Sequence, residues 1–207
     1  MELPNDGPPD SALIARVLAG ADRHAFAVLV RRHQAPVRAL LRRLCNGDDA
    51  LADDLAQETF IQAHRKLKQF RADARFSTWL YRIAYNAFLM QLRTRKPEES
   101  LDALAVEPQD EPPADGVQPE HRAADMQMDL QRAMRLLSPA ERAAIVQCYY
   151  LDRSHEEAAY VLACPVGTVK SHVLRGKRKL KDALQSWAPA SAGGQGLDAE
   201  NEDGLGS

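Results

Sequence analysis

This chain of 207 residues has only three cysteines, Cys45, Cys148 and Cys164, widely separated and without a C-x-x-C pair. That spacing offers neither a disulfide framework nor a zinc site, so each thiol reads as a small buried apolar side chain. The six histidines (His24, His33, His64, His121, His155 and His172) are scattered, with no H-E-x-x-H among them. A Gly-rich phosphate loop and a nucleophile motif are also missing. No catalytic residue, metal ligand or cofactor is therefore expected. No apolar run approaches the length of a membrane span, and the start M-E-L-P-N-D-G-P-P-D has neither a basic flank nor an apolar stretch. These absences leave a cytoplasmic binding protein, not inserted in a membrane, as the expectation.

What is present is charge in blocks. The net charge of −2 is the sum of unlike segments: −3 over residues 1–22, +9 over 23–97, −9 over 98–129, +5 over 130–187 and −4 over 188–207. Two basic units flank an acidic connector, a pattern that fits two polyanion-binding modules on one string.

Apolar spacing is helical throughout, so the fold class is all-α. Residues 1–9 read as a disordered N-terminus and 10–97 as a four-helix domain. In that domain Gly20 ends a short first helix and Asp22 caps a second. Pro36 is expected to kink or divide the second helix. Asp48 or Asp49 caps a third helix to about Leu67, and Ser77 or Thr78 starts a fourth that ends before Pro97. Residues 98–125, rich in acids and proline, read as a disordered linker. A second small helical domain covers 126–187, with a capping box and first-turn proline at Ser138-Pro139-Ala140-Glu141. The Gly-, Ser- and acid-rich tail 188–207 reads as disordered.

Within the second domain, residues 154–180 read as a helix-turn-helix. Ser154 and Glu157 form a capping box, Ala163-Cys164-Pro165 stops the first helix, and the second helix is strongly basic. Val166, Val169, Val173 and Leu180 are expected inward. An ordinary helical hairpin with a solvated basic face is the alternative. In the third helix Asp54, Gln57 and Glu58 fall at i, i+3 and i+4, so they share one face. Such a face either keeps the helix soluble or docks a basic partner. In the loop and helix that follow, Phe70, Phe76, Trp79, Tyr81 and Tyr85 interleave with Arg71, Arg75 and Arg82. Single-stranded nucleic acid asks for this mixture, because each base stacked on a ring contributes roughly 1–3 kcal/mol and cations track the phosphates. For Trp79 and Tyr85 at helical spacing, core packing is the competing account.

D-D-L-A-Q-E-T-F (Asp53–Phe60), F-S-T-W-L-Y-R-I-A-Y-N (Phe76–Asn86), L-S-P-A-E-R and E-E-A-A-Y-V-L-A-C-P-V-G-T-V-K-S-H, with the acidic connector between them, closely resemble bacterial sigma factors of the extracytoplasmic-function group. The likeness runs over about residues 10–185 in the family's order. It implies a sigma region 2 domain that binds the β′ clamp helices of core RNA polymerase and reads the −10 promoter element as melted strand. It also implies a region 4 domain that binds the β flap and reads the −35 element in duplex DNA. By motif, Asp54, Gln57 and Glu58 resemble the polymerase-docking residues. Arg71, Arg75 and Phe76 resemble the pocket for a flipped −10 base, and Trp79, Arg82 and Asn86 its upstream part. Gly167, Thr168, Lys170, Ser171, Leu174, Arg175 and Arg178 resemble the −35-reading surface, with Lys177 among the phosphate clamps. An anti-sigma factor is a further implied partner. The chain departs from the family at Ala163, where glycine is usual in the turn, at His172, where arginine is common, and at His155, near a position that is often aromatic.

A regulator that binds an operator alone is the rival within DNA-binding proteins, but no dimerisation or effector segment is evident. A major-groove bidentate contact discriminates by about 1–3 kcal/mol, so one short helix is a weak reader. Two elements one and a half turns apart demand about 50–60 Å between the domains. A flexible connector of about 32 residues has a root-mean-square span of roughly 30 Å. The polymerase is therefore expected to set the spacing.

Overall fold

The computed structural model describes residues 7–20, 22–102 and 128–187. The expected disorder of residues 1–6, of the connector from 103 to 125 and of the tail 188–207 lies outside the described residues, as does the first turn of the helix expected from Met126.

Four helices form the first bundle: α1 (Asp10–Gly20), α2 (Arg23–Leu44), α3 (Asp49–Lys66) and α4 (Phe76–Asp102). Asp22 caps α2 by accepting from the Ala25 amide, and Asp48 caps α3 by accepting from Leu51. Each such cap contributes about 1 kcal/mol. Between them, Asn46 and Gly47 both adopt positive φ, and the Gly47 amide donates to the Arg42 carbonyl at 2.8 Å. That geometry turns the chain sharply and places α3 against α2. α2 runs through the core, burying Leu29, Val37, Leu40, Leu41 and Leu44 against Leu13 and Ile14 of α1, Ala52 and Leu55 of α3, and Leu80 and Phe88 of α4. Burying each large aliphatic side chain stabilises by about 1.5–3 kcal/mol.

Two prolines stand inside helices. Of the two outcomes expected at Pro36, division does not occur, and α2 continues as one helix. α4 does not stop before Pro97 but runs to Asp102. In both cases a proline removes one backbone hydrogen bond, while strong helix formers such as Arg and Glu continue on either side. α4 also starts earlier than expected, at Phe76, with the Trp79 amide donating to the Arg75 carbonyl.

The second bundle comprises α5 (128–135), α6 (Pro139–Ile145), α7 (His155–Leu162) and α8 (Val166–Trp187). Both expected capping boxes are closed: Ser138 with Glu141, and Ser154 with Glu157. After Ile145 the chain widens into one π-helical turn, Val146–Tyr150, where apolar spacing predicts a continuous α-helix to about Leu151. α7 ends at Ala163, which sits in the left-handed region at φ 51°, ψ 43° where the family ordinarily has glycine. Val161, Val169 and Val173 pack with Ala143 and Val146. At Gly176 the α6–α8 approach is tight: a Cβ there would lie 2.9 Å from Ile145 Cγ1.

The two bundles are packed together. Arg142, only 6 % exposed, donates to the carbonyls of Met134, Leu137 and, across the interface, Leu44. Arg153 donates to Thr78 Oγ1 at 2.6 Å and lies over the Tyr81 ring. Arg82 lies over Tyr160 at 4.9 Å, and Arg43 over Tyr150. The expectation of two small helical domains holds, with this shared face added to it.

Candidate nucleic-acid interface

α8 presents the strongest candidate surface. Val169 and Val173 are buried against the bundle, while Gly167, Lys170, Ser171, Leu174, Arg175 and Arg178 are exposed; Thr168 and His172 lie partly covered at the sides. Leu174 is 71 % exposed, with Lys170 and Arg178 one turn away on either side. An aliphatic tip between two cations suits a groove lined with phosphates and thymine methyl groups. The Ser171 hydroxyl donates back to the Gly167 carbonyl at 2.9 Å, which leaves its lone pairs outward. Lys170 and Arg178 make no ion pair among the described residues, so their charges remain available to phosphates.

Three other α8 cations, Arg175, Lys177 and Lys179, are engaged. Lys179 Nζ lies 2.8 Å from Glu141 Oε2, and Arg175 Nε lies 3.5 Å from Glu141 Oε1. Arg175 Nη2 also lies 2.9 Å from His172 Nδ1. Lys177 sits 5.3 Å over the Tyr149 ring. Glu141 itself is 5 % exposed. Burial raises its pKa, but the hydrogen bond from Lys179 and those with Ser138 outweigh that and hold the carboxyl at about 2.

The loop before α4 carries Arg71 and Arg75 on the surface, with Ala72 at φ 59° bending the chain between them. Phe76 does not face solvent with them. It is 5 % exposed and lies edge-on to Phe70 at 5.6 Å and to His33 at 5.3 Å, with Trp79 tilted beside it. In this packing the ring is the floor under the loop, fixing the backbone from which Arg71 and Arg75 project. His33 is fixed in turn by Asp10 Oδ2 at 2.8 Å. Asp10 also pairs with Arg32. Burial raises the Asp10 pKa, but these partners outweigh it and lower the value. Trp79 is half-buried, which leaves an edge at the surface, and Asn86 is exposed. Arg82 is turned toward Tyr160 of the second bundle. Tyr81 and Tyr85 are buried, and burial pushes both phenols above their ordinary pKa. The core-packing account therefore holds for Tyr85.

On α3, Asp54, Gln57 and Glu58 stand on a ridge between two concavities. Gln57 lines the larger, about 910 Å³, between α2 and α3 with Phe26, Phe60, Ile61 and Arg65. Glu58 lines the smaller, about 410 Å³, between α3 and α4 with Met90 and Asn86, and accepts from Gln62 at 2.7 Å. Asp53 and Asp49 are consumed by Arg38 and Arg42 of α2. Asp54 and Glu58 form no ion pair among the described residues, so they are the acids left to meet a basic partner. Sequence spacing showed the ridge but not this division of the carboxylates. Among the described residues no His, Cys, Asp and Glu cluster could hold a metal ion. None of the described helices is long and apolar enough to cross a membrane.

Comparison with known proteins agrees with the division into two bundles. Residues 29–98 match the family described as Sigma-70 region 2, and residues 127–180 match Sigma-70, region 4. The chain is 35 % identical over 184 residues to the RNA polymerase sigma-H factor of Pseudomonas aeruginosa, covering 85 % of this chain and 94 % of that one. It is 34 % identical over 183 residues to the ECF RNA polymerase sigma-E factor of Escherichia coli K12, with the same coverage. Among solved structures, the sigma factor RpoE of Bartonella quintana, in complex with the anti-sigma factor NepR, superposes with a TM-score of 0.61 at 28 % identity, over 77 % of this chain and 96 % of that one. CnrH, in complex with the cytosolic domain of CnrY, also gives 0.61, at 26 % identity over 86 % and 99 %. With both region families matched in order and such relatives covered almost end to end, the chain belongs to the extracytoplasmic-function sigma factors of bacterial RNA polymerase, which direct promoter-specific transcription initiation.

Proposed function

We propose that this chain docks on the β′ clamp helices of core RNA polymerase through the α3 ridge, at Asp54, Gln57 and Glu58. In the same reading it takes melted −10 DNA on Arg71, Arg75, Trp79, Arg82 and Asn86, and −35 duplex on the outer face of α8. Phe76 serves from beneath, as the support of the −10 loop. The region 4 domain engages the β flap, and the protein acts in the cytoplasm by binding alone, without catalysis. The observation that carries the reading is the outer face of α8, where exposed Leu174 stands between Lys170 and Arg178, which make no ion pair among the described residues, while Val169 and Val173 are buried. A solved relative of this fold is found with the anti-sigma factor NepR, and a partner of that kind is proposed here too.

Transcription in vitro with core polymerase across a promoter library randomised at both elements tests this. The expected result is selection of two sequence blocks at fixed spacing. Selection of no upstream block would remove α8 as a reader, and transcription no better than core enzyme alone would remove the function.

A further inference from the structure

Five cations follow Val173 on α8: Arg175, Lys177, Arg178, Lys179 and Lys181. Left free, such a run grips any phosphate backbone, and each contact steepens the salt dependence of binding without reading a base. The structure holds back two of the five, Arg175 and Lys179. One buried carboxylate, Glu141 on α6, lies thirty-eight positions before Lys179, accepts from it at 2.8 Å, and faces Arg175 Nε at 3.5 Å. The same carboxylate closes the α6 capping box, accepting the Ser138 amide at 3.0 Å. Glu141 is thus fixed at the start of α6 and cannot swing out with the lysine.

We propose that Glu141 is a positioning residue for DNA reading. It withholds Lys179 from indiscriminate phosphate contact and clamps the Arg175 guanidinium from its Nε side, so that only the Nη edge, beside His172, is offered to the groove. The charges that face Glu141 come from α8 (Arg175 and Lys179), and Ser138 supplies its remaining partners. Arg142, the neighbouring cation on α6, is turned away to three carbonyls. The inference rests on α8 being the −35 reader and adds that its selectivity is enforced from behind. Side chains that discriminate and side chains that merely adhere are sorted by one internal anion.

Glu141→Gln is the appropriate variant, because S-x-x-Q still closes a capping box while the charge is removed. Two measurements on the full-length chain read the outcome. The first is the salt dependence of binding to a mixed-sequence duplex of about 30 base pairs, which reports released cations at nearly one unit of slope each. The outer face of α8 is exposed in the packed arrangement, so the free chain can be used. The second is the −35 selectivity of the reconstituted holoenzyme on the randomised library. The expected result for Glu141→Gln is a slope steeper by about one to two, with a −35 selectivity lower by about tenfold, the loss of one oriented bidentate contact. Adding Lys179→Met should take back about one unit of slope. A variant with the wild-type slope and wild-type selectivity would overturn the proposal while leaving α8 as the reader. A wild-type holoenzyme with no −35 preference would instead overturn the assignment of α8, and the positioning role with it.

Discussion

The Arg142 guanidinium donates to the Leu44 carbonyl at 2.8 Å, joining residues ninety-eight positions apart, and this one side chain ends two helical segments at once. Its other donors satisfy Met134 and Leu137, so three carbonyls at helix ends rely on a single cation. Burial lowers the Arg142 pKa, with Cys45 opposing it in part. Hydrogen bonds to a charged donor contribute about 1.5–3 kcal/mol each, and carbonyls left unpaired cost more. Arg142→Met is therefore expected to lose about 3 kcal/mol or more of unfolding free energy in urea. A loss below about 1 kcal/mol would mean that water replaces the guanidinium.

The packed arrangement holds the proposed −10 and −35 surfaces together, whereas promoter elements one and a half turns apart would need them separated. Arg153 on Thr78 and Tyr81, with Arg82 on Tyr160, are the contacts that must break. Arg153→Ala combined with Tyr160→Ala should shift the free chain toward separated bundles, seen as a larger radius of gyration in X-ray scattering. It should also raise affinity for single-stranded DNA by roughly three- to tenfold, because cation–π pairs of about 1 kcal/mol no longer hold Arg82. An unchanged radius would assign the packing to the apolar contacts alone.

Acid should act on the second bundle through Glu141. Its folded pKa of about 2 lies below the model-compound value of 4.5, so folding is favoured by its ionisation at any pH above 4.5. That contribution is lost as pH falls from 4.5 through 2. Denaturation curves of wild type and Glu141→Gln, taken from pH 7 to pH 2, should accordingly converge in this window. Parallel curves would show that Lys179 and Ser138 do not bias its titration.

Ala163 carries a left-handed backbone at the turn of the helix-turn-helix. For an L-residue with a Cβ that conformation costs about 1–2 kcal/mol, and glycine gives back about half of this through its freer unfolded chain. Ala163→Gly should thus stabilise by about 0.5–1 kcal/mol and raise the melting temperature by a few degrees. A lower melting temperature would show that the Ala163 methyl packs against something that outweighs the strain.

Gln57→Ala with Glu58→Ala should weaken core-polymerase binding about ten- to one hundredfold, if each side chain contributes in the range usual for polar contacts at an interface. The helical circular dichroism should be unchanged, because both side chains stand outside the core. Undiminished co-purification with core enzyme would move the dock elsewhere on α3.

Local rules made much of this molecule readable in advance. The capping boxes at Ser138 and Ser154, the Asp22 cap and the inward Val169 and Val173 of α8 rest on local spacing, and the structure has them; Val166, expected inward with them, is only half-buried. Errors arose where long-range packing decides. Phe76 looked like a loop aromatic, but Phe70, Trp79 and His33 enclose it, and nothing local records that. Pro97 reads as a stop because the rule concerns one hydrogen bond, while α4 has strong helix formers on both sides. The arginines gave the least away. Arg142, Arg153 and Arg178 are the same residue to a charge count, yet the first caps carbonyls, the second stacks in an interface and the third makes no ion pair among the described residues.

Gly176 has a consequence for how such a protein can change its preferences. With Ile145 Cγ1 2.9 Å from where a Cβ would stand, α8 is seated flush on α6 at that level and cannot roll about its axis. In the proposed reading, the azimuth at which Leu174 and Arg178 would meet a groove is therefore set by packing behind the helix, not by the side chains in front. Outer residues can be exchanged one at a time to read new bases, each arriving at the same angle. A bulkier residue at position 176 would turn them all together.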